Sequence, residues 1–170
     1  MTRARRNEEG IAPSVFDVLG EDHREVERML IKLESGPTAA DGADAWMLAL
    51  RKKLVEKLII RESWHEAIEE LHFWPAVRER HPHGDQLADT AAGQEQEVRE
   101  VLGLLGWLNV DMPEFENVLA RYAKAGRDHF RFEETRVWPG LSEVLNAQDA
   151  ADLGQKLRQA RKTTEDASGP

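Results

Sequence analysis

The segments HEAIEELHFWPAV (residues 65–77) and HFRFEETRVWPGL (residues 129–141) are two versions of one pattern. Five of the thirteen aligned positions are identical: a histidine, two adjacent glutamates and a Trp-Pro pair. In both segments the apolar residues recur with the spacing of an amphipathic helix. The chain therefore contains two related helical units that carry the same polar residues at matching positions.

A second pair of segments repeats in the same way, upstream of the first pair. HREVERML (residues 23–30) aligns with EQEVREVL (residues 95–102), and the alignment matches Glu25 with Glu97, Val26 with Val98 and Leu30 with Leu102. The first half of the chain therefore resembles the second. We expect two similar helical hairpins that pack around a pseudo-two-fold axis, where their inward polar residues meet.

The apolar pattern predicts four long helices and one short helix. The long helices span about residues 14–35, 44–78, 85–108 and 113–145, and the short one spans about 149–162. Ser14 is expected to cap the first helix, and Gly36-Pro37 is expected to end it. The predicted fold is all-α, an antiparallel up-down four-helix bundle with a short C-terminal capping helix.

Two further expectations concern the course of the chain. Pro75 and Pro139 lie late in the second and fourth helices and each removes a backbone donor, so we expect them to kink or end those helices. Residues 13–163 are expected to form one domain, with residues 1–12 as a disordered leader and residues 164–170 as a disordered tail.

The composition excludes several classes of function. The 170 residues carry a formal net charge of −9 and include no cysteine. Disulfides, zinc fingers, thiolate iron–sulfur ligation and cysteine nucleophiles are therefore ruled out. The negative charge argues against nucleic acids and anionic membranes as partners. No apolar stretch approaches the roughly 18–20 residues of a membrane span, so we expect a cytoplasmic protein.

The repeated polar residues lie on apolar helix faces and should point into the bundle. His65 and Glu69 are four residues apart and share one helix face, as do His129 and Glu133. His23 and Glu95 lie on the corresponding stripes of the first and third helices. Burying unpaired carboxylates costs several kcal/mol each or more, and no lysine or arginine lies on these stripes. Two metal cations would compensate.

This set predicts a site for two metals. The predicted ligands are His23, His65, Glu69, Glu95, His129 and Glu133. Two carboxylates from opposing helices can bridge metals that lie roughly 3.5–4 Å apart. The other ligands then divide evenly, His23 with His65 and Glu95 with His129. Imidazole with carboxylate suits iron or manganese and accepts zinc.

Other polar residues near this set have weaker assignments. Tyr122 lies two turns before His129 on the same face, and we consider it either a catalytic residue or part of the core. Glu70 and Glu134 are expected behind the ligands or at the surface, as is His72, for which partial exposure is favoured. His81 and His83 are expected in a polar turn. Glu62 with His65 forms one Glu-x-x-His pair of the kind that ferritin-like oxidases use twice, but Gly126 stands where the second glutamate would be.

These motifs together resemble the hemerythrin-like family, also called the HHE cation-binding domain, over about residues 14–145. That family has a histidine on its first and third helices and a histidine followed by glutamate four residues later on its second and fourth. Glu95 stands where the third-helix histidine is usual, with Gln94 and Gln96 as neighbours that fit a shifted register. The resemblance implies two iron ions with an oxo or hydroxo bridge, and O2, H2O2 or NO as the small-molecule partner of a monomer or homodimer.

Three functions follow from this prediction. The first is a di-iron protein that reacts with oxygen or peroxide, with possible catalase- or peroxidase-like activity, because a carboxylate at position 95 disfavours reversible oxygen carriage. The second is an iron- or oxygen-sensing module without turnover. The third is a metal-free helical scaffold, which would require all six inward polar groups to be neutralised in another way.

Overall fold

The computed structural model describes residues 12–167, and all regular structure within them is helical. The α-helices are α1 (Val15–Ser35), α2 (Ala45–Ile68), α3 (Trp74–Arg80), α4 (Gly84–Trp107), α5 (Phe115–Phe132), α6 (Trp138–Val144) and α7 (Ala147–Ala167). Two π-helical turns, π1 (Glu69–Phe73) and π2 (Glu133–Val137), join α2 to α3 and α5 to α6 without a break. Four long helical elements and α7 therefore form the bundle, which confirms the all-α prediction. The up-down order of the helices stays a prediction.

The helix starts follow the sequence signals. Ser14 caps α1 through a capping box, because its side chain accepts from the Asp17 N–H and the Asp17 carboxylate accepts from the Ser14 N–H. Asp44 caps α2 by accepting from the Met47 N–H at 2.8 Å. Each cap satisfies a donor that the first helical turn leaves without a partner.

The expectation that Pro75 and Pro139 end their helices is wrong, since both helical elements continue for several residues beyond the proline, and a kink at these positions stays a prediction. A π turn lies immediately before each Trp-Pro pair. In these turns the Trp74 N–H donates to the Glu69 carbonyl and the Trp138 N–H donates to the Glu133 carbonyl, five residues back. The wider turn makes room for a proline ring that would otherwise clash with the carbonyl four residues earlier.

The apolar core consists of two clusters separated by a polar layer. One cluster contains Val26, Leu30, Leu58 and Leu105, among others, and the second contains Leu19, Phe73, Ala91 and Leu141. Along each long element, the buried histidines and glutamates lie between the two sets of apolar residues. Leu50 on α2 is 47% exposed and lies outside both clusters.

The last helix is longer than predicted. α7 runs from Ala147 to Ala167, whereas the sequence indicated a capping helix over about 149–162 and a disordered tail from 164. It packs against α1, α2 and π1. Residues 1–11 and 168–170, where most of the expected leader and the end of the tail fall, lie outside the described residues. Within residues 12–167, no helix is both long and apolar enough to cross a bilayer.

The start of α4 provides a test of this packing. A Cβ on Gly84 would overlap the Val77 carbonyl and the Arg78 backbone, whereas a Cβ on Gly93 in the same helix would meet nothing within 4 Å. We expect Gly84→Ala to lower the free energy of unfolding by about 1–3 kcal/mol, as overpacking does. Gly93→Ala should raise it by about 0.5–1 kcal/mol, because alanine restricts the unfolded chain and favours helix.

Urea unfolding of the two variants and the parent chain measures both changes. Equal effects of the two substitutions would contradict the close contact between the start of α4 and the end of α3.

Candidate metal centre

The six predicted ligand side chains converge in the polar layer between the two apolar clusters. None is more than 4% exposed, although the six come from α1, α2, π1, α4, α5 and π2. They form two groups in which ligand atoms lie within 4.8 Å of one another. The first group contains His23, His65, Glu69 and Glu133, and the second contains Glu69, Glu95 and His129. Glu69 belongs to both.

Glu133 also faces both groups, one carboxylate oxygen to each. Its Oε2 lies 3.1 Å from His23 Nε2, and its Oε1 lies 3.3 Å from His129 Nε2. On the other side, Glu69 Oε2 lies 3.4 Å from His65 Nε2. Glu69 and Glu133 thus each lie close to ligand atoms of both groups, and a bridging role for them between two metals stays a prediction.

The atoms that face the middle of this layer have no hydrogen bonds. They are the Nε2 atoms of His23, His65 and His129 and both carboxylate oxygens of Glu69 and Glu133. Buried polar atoms almost always have a partner, because leaving one without costs about 1–3 kcal/mol and more when it is charged. Imidazole nitrogens and carboxylate oxygens that converge without partners are donors suited to iron, manganese or zinc, so the residues present fit a metal centre.

The outer nitrogen of each histidine has a partner that orients the ring. His23 Nδ1 lies 2.8 Å from Glu134 Oε1, His129 Nδ1 lies 3.1 Å from Gln94 Oε1, and His65 Nδ1 lies 3.5 Å from Asp22 Oδ2. All three partners are oxygen acceptors, so the ring must donate from Nδ1. This arrangement directs the three Nε2 atoms to the centre, as outer partners of metal-ligating histidines do.

Among the three candidates on α4, the structure directs Glu95 to the centre. Glu95 is 2% exposed, and its Oε1 lies 4.0 Å from His129 Nε2. Gln94 contacts the outer nitrogen of His129 instead, and Gln96 is exposed and donates to Glu100 at the surface. The Glu95 carboxylate also accepts a hydrogen bond of 2.6 Å from the Trp74 indole, which fixes its orientation.

Two aromatic rings enclose His23. Phe130 stacks on the imidazole with ring centroids 4.1 Å apart, and Trp138 stacks on it at 5.4 Å. Trp74 and Trp138 occupy matching positions of the internal repeat, yet one holds Glu95 and the other packs on His23. The two halves of the centre thus differ although their sequences repeat.

Sequence reasoning singled out Glu62 as part of a Glu-x-x-His pair with His65 but missed the burial of Glu66 and Asp22. Glu62 is fully buried, neither of its oxygens has a hydrogen bond, and it lies beside the equally buried Tyr122 hydroxyl. Gly126, at the matching position of the repeat, lies beside the same phenol, since a Cβ there would be 3.8 Å from its oxygen, an ordinary contact distance. Glu66 is 4% exposed and reaches Arg99 at 3.4 Å. Glu62 and Glu66 share the helical spacing of His65 and Glu69, and this spacing is the signal that could have predicted their burial.

Outside the two ligand groups lie His72, His81 and His83 and the repeated glutamates Glu70 and Glu134. His81 accepts from the His83 N–H in the turn after α3, His72 is half-buried near α7, and Glu70 pairs with Arg99 at the surface. Glu134 is partly exposed and holds His23, so it lies directly behind a predicted ligand.

Comparison with known proteins identifies the family and supports the fold. The model of the hemerythrin HHE cation-binding domain matches residues 14–141. The chain belongs to this family. A solved hemerythrin HHE cation binding domain-containing protein from Mycobacterium kansasii superposes with a TM-score of 0.76 at 20% identity, over 91% of this chain and 89% of that one. At that identity the likeness shows the fold. No curated protein sequence gave a significant match.

The hemerythrin domain therefore carries a candidate His/Glu cluster, and that cluster has strong internal electrostatics. Burial disfavours the charged form of His23, but the Glu133 and Glu134 carboxylates outweigh burial and raise its pKa to about 9. Burial raises the pKa of Glu66 to about 8, with Glu62 adding to the effect. Burial also raises the pKa of Glu69 well above its usual range, and the nearby carboxylates of Glu133 and Glu95 add to the effect. Ligation by the six residues stays a prediction.

These shifts predict how stability depends on pH in the metal-free protein. The pKa of His23 is raised from 6.5 to about 9 in the folded state, so its stabilising contribution is complete below pH 6.5 and is lost by pH 9. The raised pKa of Glu66 acts in the same direction from pH 4.5 to about 8. We expect the melting temperature of the chelator-treated protein to fall between pH 6.5 and 9.

The control is His23→Gln, which removes the titrating imidazole and should make the melting temperature fall less steeply over the same pH range. A melting temperature that rises from pH 6.5 to 9 in the chelator-treated parent would contradict the prediction.

Proposed function

We propose that this domain binds two non-haem iron ions and reacts with oxygen or hydrogen peroxide, with catalase- or peroxidase-like turnover. One observation carries the proposal: two groups of buried ligand atoms share Glu69, and Glu133 faces both. A single cation would leave one group without compensation. Two cations, one for each group, would give partners to the three imidazole Nε2 atoms and to the carboxylate oxygens of Glu69 and Glu133.

The donor set favours iron in a carboxylate-rich environment. The metal pair would be held by three imidazoles and by the carboxylates of Glu69, Glu95 and Glu133. When ionised, these carboxylates contribute three negative charges. Such a set stabilises the higher charge of ferric iron, and imidazole with carboxylate is a common iron ligand set. Manganese and zinc are the other metals that this donor set accepts. Bound iron supplies a redox pair that exchanges electrons with oxygen or peroxide.

The protein's own contribution is to position and enclose that pair. Glu134, Gln94 and Asp22 hold the three imidazoles, and the Trp74 indole holds Glu95. Phe130 and Trp138 cover His23 and limit water at that side. A surface cavity of about 380 Å³, lined by His23, Arg24, Glu27, Arg127, Phe130, Arg131 and Glu134, reaches this edge of the centre. A small molecule would approach through it.

Metal analysis tests the centre itself. We expect about two irons per chain after ferrous loading in air, with near-ultraviolet absorption from an oxo- or hydroxo-bridged pair. His65→Ala should reduce the iron content by at least half, since it removes one of the six predicted ligands. His72→Ala is the matched control, because His72 lies one helical segment further along and outside the cluster.

The two outcomes of that analysis are distinct. Loss of iron from His65→Ala alone supports the proposed ligands. Equal iron content in both variants, or no iron in the parent chain, would contradict the proposed centre.

Turnover is a separate question, and Tyr122 provides the sharpest variant for it. Its hydroxyl is fully buried, has no hydrogen bond and lies beside Glu62. Tyr122→Phe removes this one oxygen and should leave iron content unchanged while slowing oxygen release from peroxide at least tenfold, within the usual range for general acid–base groups.

An oxygen electrode measures the rate per bound iron pair. Unchanged turnover in Tyr122→Phe would assign the residue to core packing. Negligible turnover in the iron-loaded parent, together with a large rise in its melting temperature on loading, would instead support the binding or sensing module.

A further inference from the structure

We propose that the C-terminal helix α7 is part of the metal centre, because Arg161 on α7 positions Asp22, and Asp22 positions the predicted ligand His65. α7 lies beyond the residues that match the family model, which end at 141. The inference rests on the proposed function, since it assigns a role toward the same metal pair.

The docking of α7 brings Arg161 to Asp22. Gly154 lies so close to the start of α1 that a Cβ there would be 2.5 Å from the Pro13 carbonyl. Leu157 is fully buried in the second apolar cluster one turn later. Arg161 follows Leu157 by four residues and therefore lies on the same face, directed at α1. The backbone contact at Gly154 fixes the depth at which α7 sits.

One carboxylate oxygen joins the helix to the ligand. Arg161 donates a short hydrogen bond to Asp22 Oδ2, and the same oxygen lies 3.5 Å from His65 Nδ1. The Asp22 side chain is 8% exposed and the Arg161 side chain 17% exposed, so water competes little for either. The guanidinium sets where the oxygen lies, and the oxygen sets the rotation of the imidazole.

Charge gives Arg161 a second effect on the centre. The Asp22 carboxylate lies beside His65 and brings a further negative charge to a centre that already contains three predicted carboxylate ligands. Arg161 offsets that charge at its source. Without the guanidinium, the Asp22 carboxylate would either leave an unbalanced negative charge beside the centre or turn away from His65.

His65 differs in this respect from the other two histidines. Glu134 on π2 holds His23, and Gln94 on α4 holds His129, so those partners belong to the four long elements of the bundle. Only His65 has an outer partner that is itself held by α7, among the residues that the structure describes. A change in the docking of α7 should therefore affect the metal of the first group, formed by His23, His65, Glu69 and Glu133.

A neighbouring ion pair provides a matched control. Arg61 on α2 pairs with Glu165 on α7 at 3.0 Å and with Glu25 on α1, so it joins the same three helices. This pair contacts none of the six predicted ligands. Glu165→Gln therefore removes one exposed ion pair of α7 and leaves the contacts from Arg161 to Asp22 and from Asp22 to His65 in place, whereas Arg161→Gln breaks the first of these contacts.

The experiment follows iron release from the loaded full-length protein. We expect Arg161→Gln to lose one of its two irons to a ferrous chelator at least tenfold faster than the parent, with a changed near-ultraviolet spectrum. The tenfold figure is the lower end of the usual effect of outer-ligand substitutions. Glu165→Gln should behave as the parent in both measurements. Arg161→Lys keeps the positive charge and should restore most of the retention.

Asp22→Asn gives an independent reading where Arg161→Gln does not yield folded protein, because it keeps a polar group of the same size beside His65. It should accelerate iron release as Arg161→Gln does. Equal release rates from Arg161→Gln, Glu165→Gln and the parent would overturn the role of Arg161 while leaving the proposed function intact. A parent chain that binds no metal would overturn both.

Discussion

The burial of acidic side chains in the middle of a helical bundle is the constraint on which the rest of this structure depends. Glu62, Glu66, Glu69, Glu95 and Glu133 are each no more than 4% exposed, and the nearest arginines reach only the edge of the group. A protein interior tolerates such a concentration of carboxyl groups only when protons or cations balance it. The convergence of three imidazoles on the same layer, each oriented from outside, makes cations the simpler balance.

Much of this arrangement follows from the sequence because it is periodic. The spacing of His65 and Glu69, repeated in His129 and Glu133, places four polar side chains on helix faces that the apolar residues turn inward. The same periodicity predicted the all-α class, and the capping residue Ser14 predicted where α1 begins. Helix spacing alone, however, does not describe contacts between elements far apart in the chain. For that reason Asp22 and Arg161, which are 139 residues apart, were not recognised as neighbours.

The repeat also hides differences that only packing reveals. Glu62 and Gly126 are equivalent in the alignment, so the second half has no counterpart of the buried Glu62 carboxylate. Trp74 and Trp138 are equivalent too, yet one donates to a carboxylate and the other stacks on an imidazole. Symmetry in the sequence thus yields an asymmetric centre, with two imidazoles in one ligand group and one in the other.

The π turns at Glu69 and Glu133 set the phase of the long helices. An α-helix rotates by about 100° per residue, and a turn that contains one extra residue shifts everything beyond it by about that angle. Residues before the turn therefore present one side to the layer of histidines and glutamates, and residues after it present a different side to the second apolar cluster. Prolines six residues beyond the two glutamates prevent the extra residue from migrating along the helix. The same short motif that supplies the carboxylates therefore also fixes how far the second part of each helical element is rotated about its axis relative to the first part.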